Sequence, residues 1–144
     1  MTNLNEARQE PCFFWRRMAA MFYDCLLLTA VLFVATSLLM PFIGGNAIKS
    51  GNFAYNGFLL SICFLYFGWH WVKGGQTLGM RSWHIFVISE SMQNPNWHQA
   101  TLRFFSALLS LLLFGLGFLW SIFDKNKLAL HDKLSKTRLI VSKG

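Results

Sequence analysis

Arg17-Met18-Ala19-Ala20-Met21-Phe22-Tyr23-Asp24 opens a run that stays apolar as far as Met40 and stops at Pro41. A helix needs about 20 mostly apolar residues to cross the hydrocarbon core of a bilayer. The stretch from Met18 to Met40 has that length, and Asp24 is its one charged side chain. It therefore reads as a membrane span carrying a carboxylate about two turns inside its start.

Arg17 and Asp24 are seven residues apart, so a helix returns them to nearly the same face with a rise of about 10.5 Å. Arg17, Ala20, Met21 and Asp24 form one stripe, and Ala20 keeps it thin enough for another helix to approach. An ionised aspartate facing lipid would cost about 2.5–3.5 kcal/mol. Asp24 is therefore expected to face protein and to be neutralised there by arginine. The rise is long for a direct Arg17–Asp24 bond, so a third group is expected between them.

Composition supports the same class. Of 144 residues, 54% are hydrophobic, 17% aromatic and only 13% charged, against about 25% charged in soluble domains. The formal net charge of +7 fits lysines and arginines that flank apolar spans and attract anionic headgroups. No polar segment combines basic residues with stacking aromatics, so nucleic acid is not an expected partner. Cys12, Cys25 and Cys63 have no metal-ligand spacing and read as small buried hydrophobes. No cofactor or metal is expected. The first apolar run is too long for a cleaved signal and should remain as an anchor.

Residues 1–12 read as a mobile N-terminal tail, and residues 13–144 as one membrane domain with hydrophobic segments at about 18–40, 53–72 and 104–123. Phe13-Phe14-Trp15-Arg16-Arg17 suits the cytoplasmic headgroup layer. The stretch from Gly44 to Asn52 is turn chemistry. The second segment ends in Trp69-His70-Trp71-Val72-Lys73, an aromatic belt with a snorkelling lysine. His70 reads as a polar interfacial residue rather than a proton carrier. Gly74-Gly75-Gln76-Thr77-Leu78-Gly79-Met80-Arg81 has the glycine spacing of a phosphate loop, but Met80 and Arg81 stand where its lysine and hydroxyl should be, which excludes nucleotide binding. Trp83–Ile88 and Thr137–Val141 read as strands, and Leu128–Leu134 as a short amphipathic helix.

The third segment has two readings. A full crossing divides the lysines and arginines six against seven between the two sides. A hairpin turning back near Gly115-Leu116-Gly117 leaves Lys49 alone on one side, which the positive-inside rule favours. Twenty apolar residues favour a span, and a hairpin must bury its turn in protein. The expected fold is thus an α-helical multi-pass membrane protein with three hydrophobic helical segments, the third a span or re-entrant hairpin, and a small cytoplasmic pair of β-strands.

These residues resemble the RDD family of membrane proteins, named for one arginine and two aspartates. The matching residues are Arg17-x-x-Ala20-x-x-x-Asp24, Gly75-Gln76-Thr77-Leu78-Gly79, Ile85–Ile88, Arg103, Leu130-His131-Asp132-Lys133-Leu134, Thr137 and Ile140-Val141. They cover nearly the whole chain. The departures are Met80, where a basic residue often stands, and His84 and Lys136, where the family has glycines. The resemblance implies a bacterial inner (plasma) membrane protein with its N-terminus in the cytoplasm. It implies either ligand or cation/proton transport, or a cofactor role in a membrane complex. In the transport reading Asp24 is the ion site, held by Arg17 or Arg103, with Asp132 and His131 at the cytoplasmic mouth. Two or three spans enclose no path easily, so a homo-oligomer would be needed. In the alternative reading the chain is an assembly or scaffolding subunit, and Arg17, Asp24, Arg103 and Asp132 form an ion-pair network that orients helices. An enzyme is not expected: the four histidines have no metal spacing, and His131 and Asp132 should point in different directions.

Overall fold

No Gly or Pro interrupts the chain between Phe13 and Met40, and its side chains are almost all apolar, so the backbone can satisfy its own hydrogen bonds over seven turns. In the computed structural model, which describes residues 9–44, 48–49 and 51–142, this stretch is α1 (Phe14–Leu39), extended by a 3-10 turn (Met40–Ile43) at Pro41. Helix α2 (Phe53–Gly74) begins at Asn52, whose side chain accepts from the Ala54 and Tyr55 amides, and ends at Gly75 with φ +64. A short α3 (Leu78–Ser82) is capped by Thr77. Strand β2 (Ile85–Ser89) follows, then α4 (Trp97–Leu112), α5 (Leu116–Phe123), α6 (Leu130–Leu134) and β3 (Thr137–Ser142). The expected turn at 44–52 lies partly outside the described residues.

Residues 1–12 are not all tail. Gln9–Pro11 form β1, an edge strand pairing antiparallel with β3 in the register Glu10 to Val141. Its Pro11 sits at an edge, where a missing amide costs no ladder bond. The other side of β3 pairs with β2, Val87 opposite Leu139, so the expected pair is part of a three-stranded sheet ordered β1-β3-β2. Ile85, Val87, Leu139 and Val141 are buried with Cys12, Ala20, Met80, Ala100 and Phe104. Each such aliphatic side chain contributes about 1.5–3 kcal/mol of burial.

One described helix, Phe14–Ile43, is long and apolar enough to cross a membrane. Helix α2 is 22 residues long, but Asn56, its tyrosines and His70 dilute it below the same mark. The third hydrophobic run is not a single straight helix. It begins at Trp97, and α4 and α5 meet at a bend of 99°. Phe114 and Gly115 make the corner with φ +57 and +75. Below it Gly117 fits against Ser110, where a Cβ would lie 2.7 Å from the serine Cβ.

Both flanks of this bent run return to one end of the molecule. Arg103, early in α4, and Asp132, nine residues beyond α5, touch at 2.5 Å. Arg103 also stacks on Trp71 near the end of α2, 5.2 Å from the ring centre. The sheet, α3, α6, the start of α1, the end of α2 and the start of α4 therefore gather at one end. From Arg103 to Leu112 the helix advances only about 13.5 Å, less than half of a core about 30 Å thick.

Candidate functional site

Asp132 sits in the first turn of α6, where a carboxylate can accept the free amides of a helix start. Its Oδ2 accepts the Ala129 amide at 2.9 Å, which fixes the side chain locally. Arg17 reaches it from α1, Nη1 donating to Oδ2 at 2.7 Å, and Arg103 reaches it from α4, Nη1 donating to Oδ1 at 2.5 Å. Arg103 Nη1 also donates to the Thr137 hydroxyl of β3 at 2.9 Å, and Arg17 Nη2 to the Lys127 carbonyl at 3.3 Å. All three charged side chains are buried. Burial alone would raise the Asp132 carboxyl, but the Arg103 and Arg17 guanidinium groups outweigh it and hold it well below the usual carboxylate range.

His131 belongs to this cluster. Its Nε2 lies 3.5 Å from Asp132 Oδ1 and its ring packs 4.7 Å from Phe118. The two side chains were expected to diverge; the single turn of α6 instead brings His131 Nε2 beside the carboxylate. Burial pushes the imidazole down to about 3, against the pull of Asp132, so it is neutral at physiological pH. Asp132 and His131 are 0% and 3% exposed.

Asp24 stands apart from the arginines. Its Oδ1 accepts the Gly79 amide at 2.9 Å and the Tyr66 hydroxyl at 3.2 Å, and its Oδ2 accepts the Thr77 hydroxyl. Thr77 Oγ1 in turn caps α3 by accepting the Met80 amide at 3.2 Å. The expected neutralisation of Asp24 by Arg17 or Arg103 is thus corrected: both arginines pair with Asp132, and among the described residues no third group joins Arg17 to Asp24. Asp24 faces protein, as expected, and is 3% exposed. Gly79 permits this, because a Cβ there would lie 2.8 Å from Asp24 Cγ and closer still to the Ala20 carbonyl.

Sequence reasoning missed Thr77, Gly79 and Tyr66 as the partners of Asp24. The signal was present in Gly75-Gln76-Thr77-Leu78-Gly79, where a hydroxyl two residues before a glycine offers an O–H and an unobstructed N–H to one carboxylate. Among the described residues no group of three His, Cys, Asp or Glu is placed to hold a metal ion.

A long apolar helix, a bent apolar pair and a buried ion cluster locking their ends define a helical membrane protein. The family model described as the RDD family matches residues 11–136, and the chain belongs to that family. It is similar to "Uncharacterized protein YxaI" of Bacillus subtilis (strain 168), 26% identical over 152 aligned positions that cover 92% of this chain and 98% of the relative. No solved structure matches.

Proposed function

We propose that the chain is a non-catalytic assembly or scaffolding subunit of a larger complex in a bacterial inner membrane, with α1 and α2 spanning and α4–α5 re-entrant. The observation that carries this reading is the uncovered corner of the bent pair. Phe114 is 96% exposed, and Leu113 and Leu116 beside it are also exposed. Exposed apolar patches mark protein or membrane contacts, and we assign this corner to a protein neighbour. The charge asymmetry of a re-entrant layout, with Lys49 on the far side, supports a cytoplasmic N-terminus.

The charged motif supports a structural part. Every oxygen of Asp24 and Asp132 already accepts a donor from a distant segment. Buried ion pairs of this kind fix register and topology even where they add little net stability.

The test places a photo-reactive amino acid at position 114 in the native membrane. Adducts to a protein of defined mass support the reading. Adducts to lipid alone overturn it. A second reading, cation or proton transport by a homo-oligomer, draws on the two hydroxyls around Asp24 as oxygen ligands. Proteoliposomes that show cation-dependent pH change in wild type, lost in Asp24→Asn, would favour it over the scaffold.

A further inference from the structure

The triad is not electrically balanced. Two guanidinium groups share one carboxylate, and His131 beside them is neutral, so one positive charge is left over in a buried place. Among the described residues Arg17 Nε, Arg103 Nε and His131 Nδ1 have no hydrogen-bond partner. A cavity of about 330 Å³ opens against this cluster, with Asp132 and Thr137 in its wall and Glu90, Lys133, Lys136 and Arg138 around it. A neighbouring cavity of about 420 Å³ shares Leu128 and Arg138 and adds Lys125 and Glu10. Lys133 is already held by Asp124 at 2.5 Å. The Lys136 side chain has no hydrogen bond or ion pair among the described residues. Its backbone is left-handed, φ +51, a conformation that is strained for a residue with a Cβ. Non-glycine residues in such conformations cluster at ligand sites.

From these features we propose that the cavity between α6 and β3 binds a phosphate group, contacted by Lys136 and Arg138 and favoured by the surplus charge behind the wall. The phosphate is either a lipid headgroup or a soluble phosphate; both present the same doubly or singly charged oxygens to lysine and arginine. The volume accommodates a phosphate with its glycerol, since small-ligand sites begin near ~300 Å³. The exposed Leu119, Trp120 and Phe123 of α5 lead from the apolar surface to this end of the chain, which gives a lipid headgroup a short approach. The inference is independent of the scaffold reading.

The test uses the full-length chain in phosphatidylcholine nanodiscs, titrated with fluorescent phosphatidic acid. Saturable binding is expected, weakened about tenfold or more in Lys136→Gly/Arg138→Ala through the loss of charge-assisted hydrogen bonds. Lys136→Gly alone removes one charge and relieves the backbone, so it should bind more weakly with no fall in its thermal midpoint, which separates lost binding from lost folding. The charge-matched pair Lys73→Ala/Arg81→Ala, outside both cavities, should bind as wild type. Displacement by inorganic phosphate assigns the site to soluble phosphates, and saturable binding without displacement assigns it to the headgroup. Non-saturable binding, or equal weakening in the charge-matched pair, overturns the proposal.

Discussion

Arg17 and Asp132 lie 115 positions apart in the chain, yet their side chains meet at 2.7 Å with neither exposed to solvent. Arg103 closes on the other oxygen of the same carboxylate. One acidic group thus joins the start of the first helix to the start of the bent pair, through a helix of five residues.

The arrangement predicts an order of damage. Asp132→Leu strands two buried guanidinium groups, and breaking a buried pair in this way costs about 3–5 kcal/mol. Arg17→Met leaves the Arg103–Asp132 pair standing and should cost clearly less. Thermal midpoints of the purified proteins in one detergent would show it. Equal midpoints for the two variants would mean that the cluster does not hold the fold.

Gly79 should be intolerant of any side chain. The Cβ of Gly79→Ala would enter the space of the Ala20 carbonyl and Asp24, so α3 must move off α1 and the Gly79 amide must leave its carboxylate. The expected loss is about 2 kcal/mol or more, from overpacking together with a broken charge-assisted bond. The nearest obstacle is the Ala20 backbone carbonyl, so a smaller side chain at position 20 should not recover the loss. A wild-type midpoint for Gly79→Ala alone would contradict the close approach.

His84 and Lys136 carry left-handed backbones, φ +55 and +51. Both are positions where the sequence departs from a family glycine, and the geometry explains the preference: glycine adopts this region without the clash of a Cβ. His84→Gly and Lys136→Gly should each raise stability by up to about 1 kcal/mol, measured by chemical denaturation in mixed micelles. A fall in both would show that the side chains do more for the fold than the backbone loses.

Acidification should weaken the fold through His131. Its folded imidazole takes a proton only near 3, whereas the unfolded one does so near 6.5. Between those values the unfolded chain binds the extra proton, so stability falls as pH falls. Asp132, held low by its arginines, keeps its contribution above the unfolded value of 3.8 and loses it only in stronger acid. The range from pH 6.5 to 4.5 therefore isolates His131. His131→Phe, which keeps a ring against Phe118, should flatten the midpoint there. A wild-type slope in the variant would assign the pH dependence elsewhere.

Much of this was legible in the chain, and the failures have physical causes. Apolar length placed α1 and α2 to within a few residues, because a helix in lipid must satisfy every peptide group locally. The break near Gly115 was visible as glycine in an apolar run. Which charges pair was not legible. Helical periodicity puts Arg17 and Asp24 on one face, but it carries no information about Asp132 and Thr77, which arrive from distant segments. Gln9–Pro11 read as tail because two polar residues followed by proline have no strand signal of their own; β3 supplies it.

The order of the sheet has a consequence for how the protein is made. Its middle strand is made after both of its neighbours, so Gln9–Pro11 and Ile85–Ser89 are synthesised with no strand to bond to, and Arg17 and Arg103 wait for their shared acid. Insertion of the apolar segments must be complete before the soluble end can close. A nascent chain stalled before α6 would carry every long helix and yet lack the latch that joins their ends.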